Sequence, residues 1–102
     1  MSFSVAVRCS NEVAQLELHG RFDFSAHREF RSGCESVLGF SAPTVEIDLA
    51  GVDYLDSSAL GMLLILKDEA EAARRSIRLV NCSPTVRSVL QIARFDKLVA
   101  IR

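Results

Sequence analysis

Residues 45–80 constrain the fold more than any other part of the chain. Val45, Ile47 and Leu49 alternate with Glu46 and Asp48, the period-two pattern of a strand with one buried face. Gly51-Val52-Asp53-Tyr54 reads as a turn, and Asp56-Ser57-Ser58 then opens a helical stretch that runs to about Arg75. Its first half is apolar nearly all round, through Leu60, Met62, Leu63, Leu64, Ile65 and Leu66, and is expected to be deeply buried. Past Lys67-Asp68-Glu69 and Glu71 the pattern opens, leaving Ala70 and Ala73 to face inward. Ile77 and Leu79 form a short strand. Strand, long helix and strand in that order predict a βαβ unit with a parallel, right-handed crossover.

Upstream, Phe3, Val5, Val7 and Cys9 alternate with polar or small residues, Asn11-Glu12 interrupts, and Leu16 and Leu18 alternate again. This predicts a hairpin whose second strand ends at Gly20. After Phe22-Asp23-Phe24 a helix is expected with Ser25 as N-cap, apolar at Ala26, Phe30, Cys34, Val37 and Leu38, and with Gly39 at the C′ position. Downstream, Ser83-Pro84 signals another helix, Ser as N-cap and Pro where its missing N–H costs nothing. Val86, Val89 and Leu90 supply its apolar stripe. Residues 95–101 read equally as a short helix or a closing strand. The order ββαβαβα predicts an α/β fold, a mixed sheet of four to five strands with its helices packed on one face. At 102 residues, without a repeat or linker, the chain reads as one domain spanning 1–102.

Composition narrows the function classes. With 12 basic and 13 acidic residues, there is no global field to draw nucleic acid or an anionic membrane. Arg74, Arg75, Arg78, Arg87, Arg94 and Lys97 stand singly between apolar positions and read as a solvated face. Cys9, Cys34 and Cys82 form no Cys-x-x-Cys pair, which argues against zinc and disulfides, and each is expected to pack as a small buried hydrophobe. His19 and His27 lack the neighbours of a metal site and read as surface histidines. No cofactor is implied. The N-terminal stretch from Met1 to Arg8 lacks a basic region followed by an apolar one. The apolar block 60–66 falls far short of the roughly 20 residues that span a bilayer. A cytoplasmic location is the expectation.

The chemistry concentrates at Asp56-Ser57-Ser58, where two hydroxyls and a carboxylate meet the unpaired N–H groups of a helix start. One reading is a plain cap, worth about 1 kcal/mol. The other is modification: a phosphate on a first-turn serine sits at the positive end of the helix dipole. It adds a charge of about −1.5 to −2 beside Asp56, enough to repel an acidic partner.

Leu55-Asp56-Ser57-Ser58-Ala59-Leu60-Gly61-Met62-Leu63-Leu64, after the strand Val45-Glu46-Ile47-Asp48-Leu49, resembles the signature of the STAS domain of bacterial anti-sigma factor antagonists. Gly20-Arg21-Phe22-Asp23 is similar to the family's Gly-x-hydrophobic-Asp, and residues 77–86 to its last strand-to-helix passage. Phe22-Asp23-Phe24-Ser25-Ala26-His27 together with residues 54–61 also resembles the HsbA-type antagonists of gammaproteobacteria. The resemblance implies that Ser57 is phosphorylated by an anti-sigma factor that is a serine kinase, with Ser58 the rival acceptor, and is dephosphorylated by a PP2C-like phosphatase. It implies that the unphosphorylated form binds the anti-sigma factor and frees the sigma factor. Partner contacts are then expected around Asp23, Phe24, Leu55, Asp56, Ser58, Ala59 and Met62. Asp23 also reads as a turn residue, and Phe24 and Met62 as core or edge packing. Ala59 stands where many members have Gly; since Gly costs about 1 kcal/mol relative to Ala in a helix, the change firms the first turn.

A catalytic reading would make Ser57 a nucleophile with His19 or His27 as base and Asp23 as orienter. No Gly-x-Ser-x-Gly elbow or phosphate loop accompanies them, so no catalytic residue is assigned and the chain is read as a non-enzyme. The alternative is a STAS module of another assembly, a lipid-transport ATPase or a nucleotide-sensing regulator.

Overall fold

The first two strands pair because Ser10 closes the turn between them. Its N–H donates to the Val13 carbonyl at 2.8 Å, and its Oγ accepts the N–H groups of Glu12 and Val13 at 3.3 and 3.1 Å. β1 (Ser4–Cys9) and β2 (Val13–Phe22) therefore run antiparallel, from Ser4 opposite His19 to Cys9 opposite Ala14. The structure, a computed structural model, describes residues 3–102; Met1 and Ser2, which begin the stretch read for a leader, lie outside the described residues.

β3 (Thr44–Leu55), β4 (Ser76–Val80) and β5 (Ala100–Ile101) add in parallel, giving a five-stranded mixed sheet ordered β1-β2-β3-β4-β5. Two expected strand ends are displaced. Gly20 does not end β2; it adopts φ 104°, a conformation that L side chains resist, and the strand continues to Phe22. Residues 51–54 do not turn either. Glu17 faces Asp48 but His19 faces Gly51, and Gly20 faces Val52 but Arg21 faces Tyr54, so β3 carries an extra residue in each interval. These bulges absorb turn-like residues within one long strand. Gly51 is required where it stands: a Cβ there would meet the His19 ring and lie 2.9 Å from the Leu18 carbonyl.

Ala14, Leu16 and Leu18 of β2, Val45, Ile47 and Leu49 of β3 and Leu79 of β4 are buried on the helix side. The alternate positions, among them Gln15, Glu17, Glu46, Asp48 and Arg78, face the other way. There Gln15 Nε2 and Arg78 Nε each donate to a Glu46 carboxylate oxygen at 2.7 Å, tying three strands together. The helices thus cover one face, as the patterning predicts.

α1 (His27–Leu38) follows a 3-10 turn at Phe24–Ala26 and buries Phe30, Gly33, Cys34 and Val37. Ser25 is not the cap; its N–H is the group capped, by Asp23. Gly39 ends the helix with right-handed φ −73°, not the left-handed turn expected. The carbonyls at that end are served by Arg75, which is only 9% exposed rather than part of a solvated face. Its Nε donates to the Ala42 carbonyl at 2.8 Å, and its Nη1 and Nη2 to Leu38 and Val37 at 3.2 Å.

α2 (Ser57–Ala72) buries Ala59, Met62, Leu63, Leu66 and Ala70, while Ala73 lies outside it and is exposed. α3 (Pro84–Ile92) begins as predicted, with Ser83 Oγ accepting the Val86 N–H at 3.2 Å. The tail is both of the forms left open: a 3-10 turn at Phe95–Lys97, anchored by buried Phe95 and Val99, and then β5. Of the cysteines only Cys34 is buried, where desolvation pushes its thiol up to about 12; Cys82 is half-buried and Cys9 exposed, because it lies at the hairpin end where no helix covers it. Among the described residues, no helix is long and apolar enough to cross a membrane.

Candidate functional site

β2 and β3 end side by side, Phe22 opposite Leu55, and the Asp56 N–H donates to the Phe22 carbonyl at 3.4 Å. The Phe22 ring anchors this edge, packed 5.1 Å from Phe3 and 5.0 Å from Phe30 between ring centroids. Each strand then delivers an aspartate followed by a helical turn. Asp23 Oδ1 accepts the Ser25 N–H at 2.9 Å and the Ser25 hydroxyl at 2.6 Å; Asp56 Oδ1 accepts the Ala59 N–H at 3.0 Å. Two capping carboxylates thus sit on one rim, a consequence of parallel strands ending in register.

Asp23 is further held by Arg21, whose Nε donates to Oδ2 at 3.0 Å while the guanidinium lies 3.6 Å above the centre of the Tyr54 ring. The Ser25 hydroxyl, with the Ser25 N–H and Arg21, holds the Asp23 carboxyl below its ordinary value against a smaller opposing effect of desolvation.

Because Asp56 supplies the cap, neither serine hydroxyl is needed for it. Ser57 opens α2 and is exposed; Ser58 is half-buried. One and two turns further on, Gly61, Leu64 and Ile65 share the Ser57 side of the helix. They contradict the expectation of a deeply buried first half: Leu64 is 36% and Ile65 54% exposed, and a Cβ on Gly61 would meet nothing within 4 Å. Ile65 also borders an apolar crevice between α1 and α2, lined by Phe30, Cys34, Met62 and Leu66 and rimmed by His27 and an Arg31–Glu69 ion pair of 3.4 Å.

The structure therefore brings Asp23, Phe24, Asp56, Ser57 and Ser58 to one edge, with Phe24 74% exposed and so no core residue. It places Leu55, Ala59 and Met62 inside, at 5%, 0% and 8% exposure. These three carry the surface from beneath, since the helix layer closes over their side chains. Arg21, Tyr54, Gly61, Leu64 and Ile65 join this candidate site without having been expected there. A glycine inside a helix, and more apolar positions than one buried face needs, were the available signals. His19 and His27 are both exposed, His19 lying 3.6 Å from Glu17. Among the described residues, no group of three or more His, Cys, Asp or Glu side chains is arranged to hold a metal ion.

The family model described as "Mlab, STAS domain" matches residues 5–100. The chain belongs to the STAS domain family. A STAS-domain containing protein of Pseudomonas aeruginosa (strain UCBPP-PA14) is 41% identical over 101 residues, covering 99% of both chains. An anti-sigma F factor antagonist of Lysinibacillus sphaericus is 31% identical over 85 residues, 82% of this chain and 73% of that one. The crystal structure of an anti-sigma factor antagonist from Mycobacterium paratuberculosis superposes with a TM-score of 0.86 over 98% of this chain and 85% of that one, at 21% identity. STAS relatives by sequence and by fold thus include anti-sigma factor antagonists.

Proposed function

We propose that this STAS protein, a single domain over residues 1–102, is itself an anti-sigma factor antagonist, acting by partner binding rather than catalysis and in the cytoplasm. The observation that carries the reading is the division of labour at the start of α2: Asp56 caps, and Ser57 stays exposed at the head of an apolar strip. Unphosphorylated, the strip of Gly61, Leu64 and Ile65, with Phe24 and the two aspartates on its rim, binds an anti-sigma factor that is a serine kinase, and the sigma factor is released. Phosphorylation of Ser57 by that kinase adds a charge of about −1.5 to −2 at a helix start that accommodates it and at an apolar contact that does not. Binding ends until a PP2C-like phosphatase removes the group. Exposure favours Ser57 over half-buried Ser58 as acceptor.

Phosphosite mapping by mass spectrometry from cells, paired with pull-downs, tests this. Ser57→Ala retains the anti-sigma partner and Ser57→Asp loses it; equal retention by both variants refutes the switch. One observation favours a second reading, a STAS module within a transport complex: the description of the matching family model names Mlab. Co-purification of a transport ATPase with both variants alike would select it.

A further inference from the structure

The guanidinium of Arg21 is held on two sides and, among the described residues, open on the third. Its face rests on Tyr54, 3.6 Å from the ring centre, and its Nε is bound to Asp23 Oδ2 at 3.0 Å. Among the described residues, neither Nη1 nor Nη2 makes a hydrogen bond, and the side chain is 55% exposed. A guanidinium held by a ring face and an ion pair has less rotamer freedom to lose on binding, and its Nη1 and Nη2 present the fork that matches an oxyanion. Its place is set by the strand ends: Arg21 lies opposite Tyr54, Phe22 opposite Leu55, and the Asp56 N–H binds the Phe22 carbonyl, so the Asp23 that Arg21 holds follows one strand end and Asp56-Ser57 follows the neighbouring one.

We propose that Arg21 is the internal receptor for the phosphate on Ser57, its Nη1 and Nη2 binding phosphate oxygens while Nε keeps Asp23 and the ring of Tyr54 holds the plane. This deepens the switch reading and rests on it. Without Arg21, a dianion on Ser57 would follow directly after Asp56, at the strand end beside the one that Asp23 follows, a repulsion that the helix start alone must oppose. Arg21 cancels part of that charge without giving up the Asp23 bond, because Oδ1 serves Ser25 and only Oδ2 serves Arg21. Arg21 is a positioning residue: it holds the phosphorylated rim in one arrangement.

The experiment installs phosphoserine at position 57 during translation, so no kinase is needed, and follows the phosphate by 31P NMR through a pH titration. With Arg21 intact the second pKa lies below the value of about 6 usual for phosphoserine. Arg21→Gln raises it by about half a unit or more, a shift already discounted for solvent screening. Arg21→Lys, which keeps charge but not the fork or the stacked plane, falls between. Thermal melts of the unphosphorylated variants check that each is folded. Equal pKa values for the wild-type protein and Arg21→Gln overturn the proposal, and equality with Arg21→Lys overturns the part assigned to the fork. An unmodified Ser57 in cells would end the switch reading whatever the titration shows, whereas a failed titration leaves that reading standing.

Discussion

Two glycines inside helices of this chain should respond to alanine in opposite directions. At Gly61 a new Cβ meets nothing within 4 Å, and the residue is not among those with positive φ, so alanine enters without strain. The helix then gains the propensity difference of about 0.8–1 kcal/mol. For a domain of this size that corresponds to a rise in Tm of roughly 4–8 °C. At Gly33 the same Cβ lies 2.7 Å from Leu16 Cδ1 and 3.2 Å from Val5 Cγ2, both beneath α1. Leu16 is fully buried and has little room to yield. Overpacking of about 1–3 kcal/mol therefore outweighs the propensity gain and Tm falls. Thermal unfolding by circular dichroism reads both variants under one condition. A Gly61→Ala protein less stable than wild type would refute the reasoning, since it would mean that Gly61 serves the fold and not the surface. A pull-down adds the functional half: on the proposed reading, the methyl that stabilises α2 stands on the partner strip, and retention of the anti-sigma partner drops.

Other outcomes follow from single sites. Arg75→Met keeps the aliphatic stem but removes donors from three carbonyls, and should cost about 3 kcal/mol by urea denaturation, because buried acceptors lose a charged partner. Arg94→Gly relieves a left-handed residue at φ 58° and should raise stability by about 0.5–1 kcal/mol in the same assay. Cys34 gives a pH dependence whose sign is set by burial. Its thiol ionises at 9.0 when unfolded and at about 12 when folded, so its contribution is full below pH 9 and is lost as pH rises toward 12. Cys34→Ser should flatten that alkaline limb of the melting curve, and exposed Cys9 should react with a thiol reagent under native conditions well before Cys34 does.

The parts of the fold legible in the sequence are those where one pattern acts alone. Alternation in residues 45–49 and the Ser83-Pro84 start depend on neighbours along the chain, and both stand where they were expected. The misreadings occur where a distant residue decides. Gly51 looks like a turn glycine, yet it is there because the His19 ring, 32 positions away, presses on its backbone. Arg75 looks like one cation among several, yet it turns inward after left-handed Arg74 and finds the carbonyls at the end of α1. Ser25 and Asp23 are both good caps locally, and only the strand end chooses between them.

The same limit explains what was visible of the site. Asp56 and Ser57 could be placed at a helix start from sequence, but which of the three polar residues caps it is a matter of backbone direction leaving β3. Once Asp56 takes that task, the serine that follows is not needed to cap the helix. The apolar strip below it follows a different logic. Leu64 and Ile65 are more apolar surface than α2 needs to pack on the sheet, and Gly61 is less helix propensity than it would otherwise retain. On the proposed reading both departures have one cause: the face that is suboptimal for the free domain is the face that a partner completes. On the same reading, a charge at its head decides whether the partner is admitted.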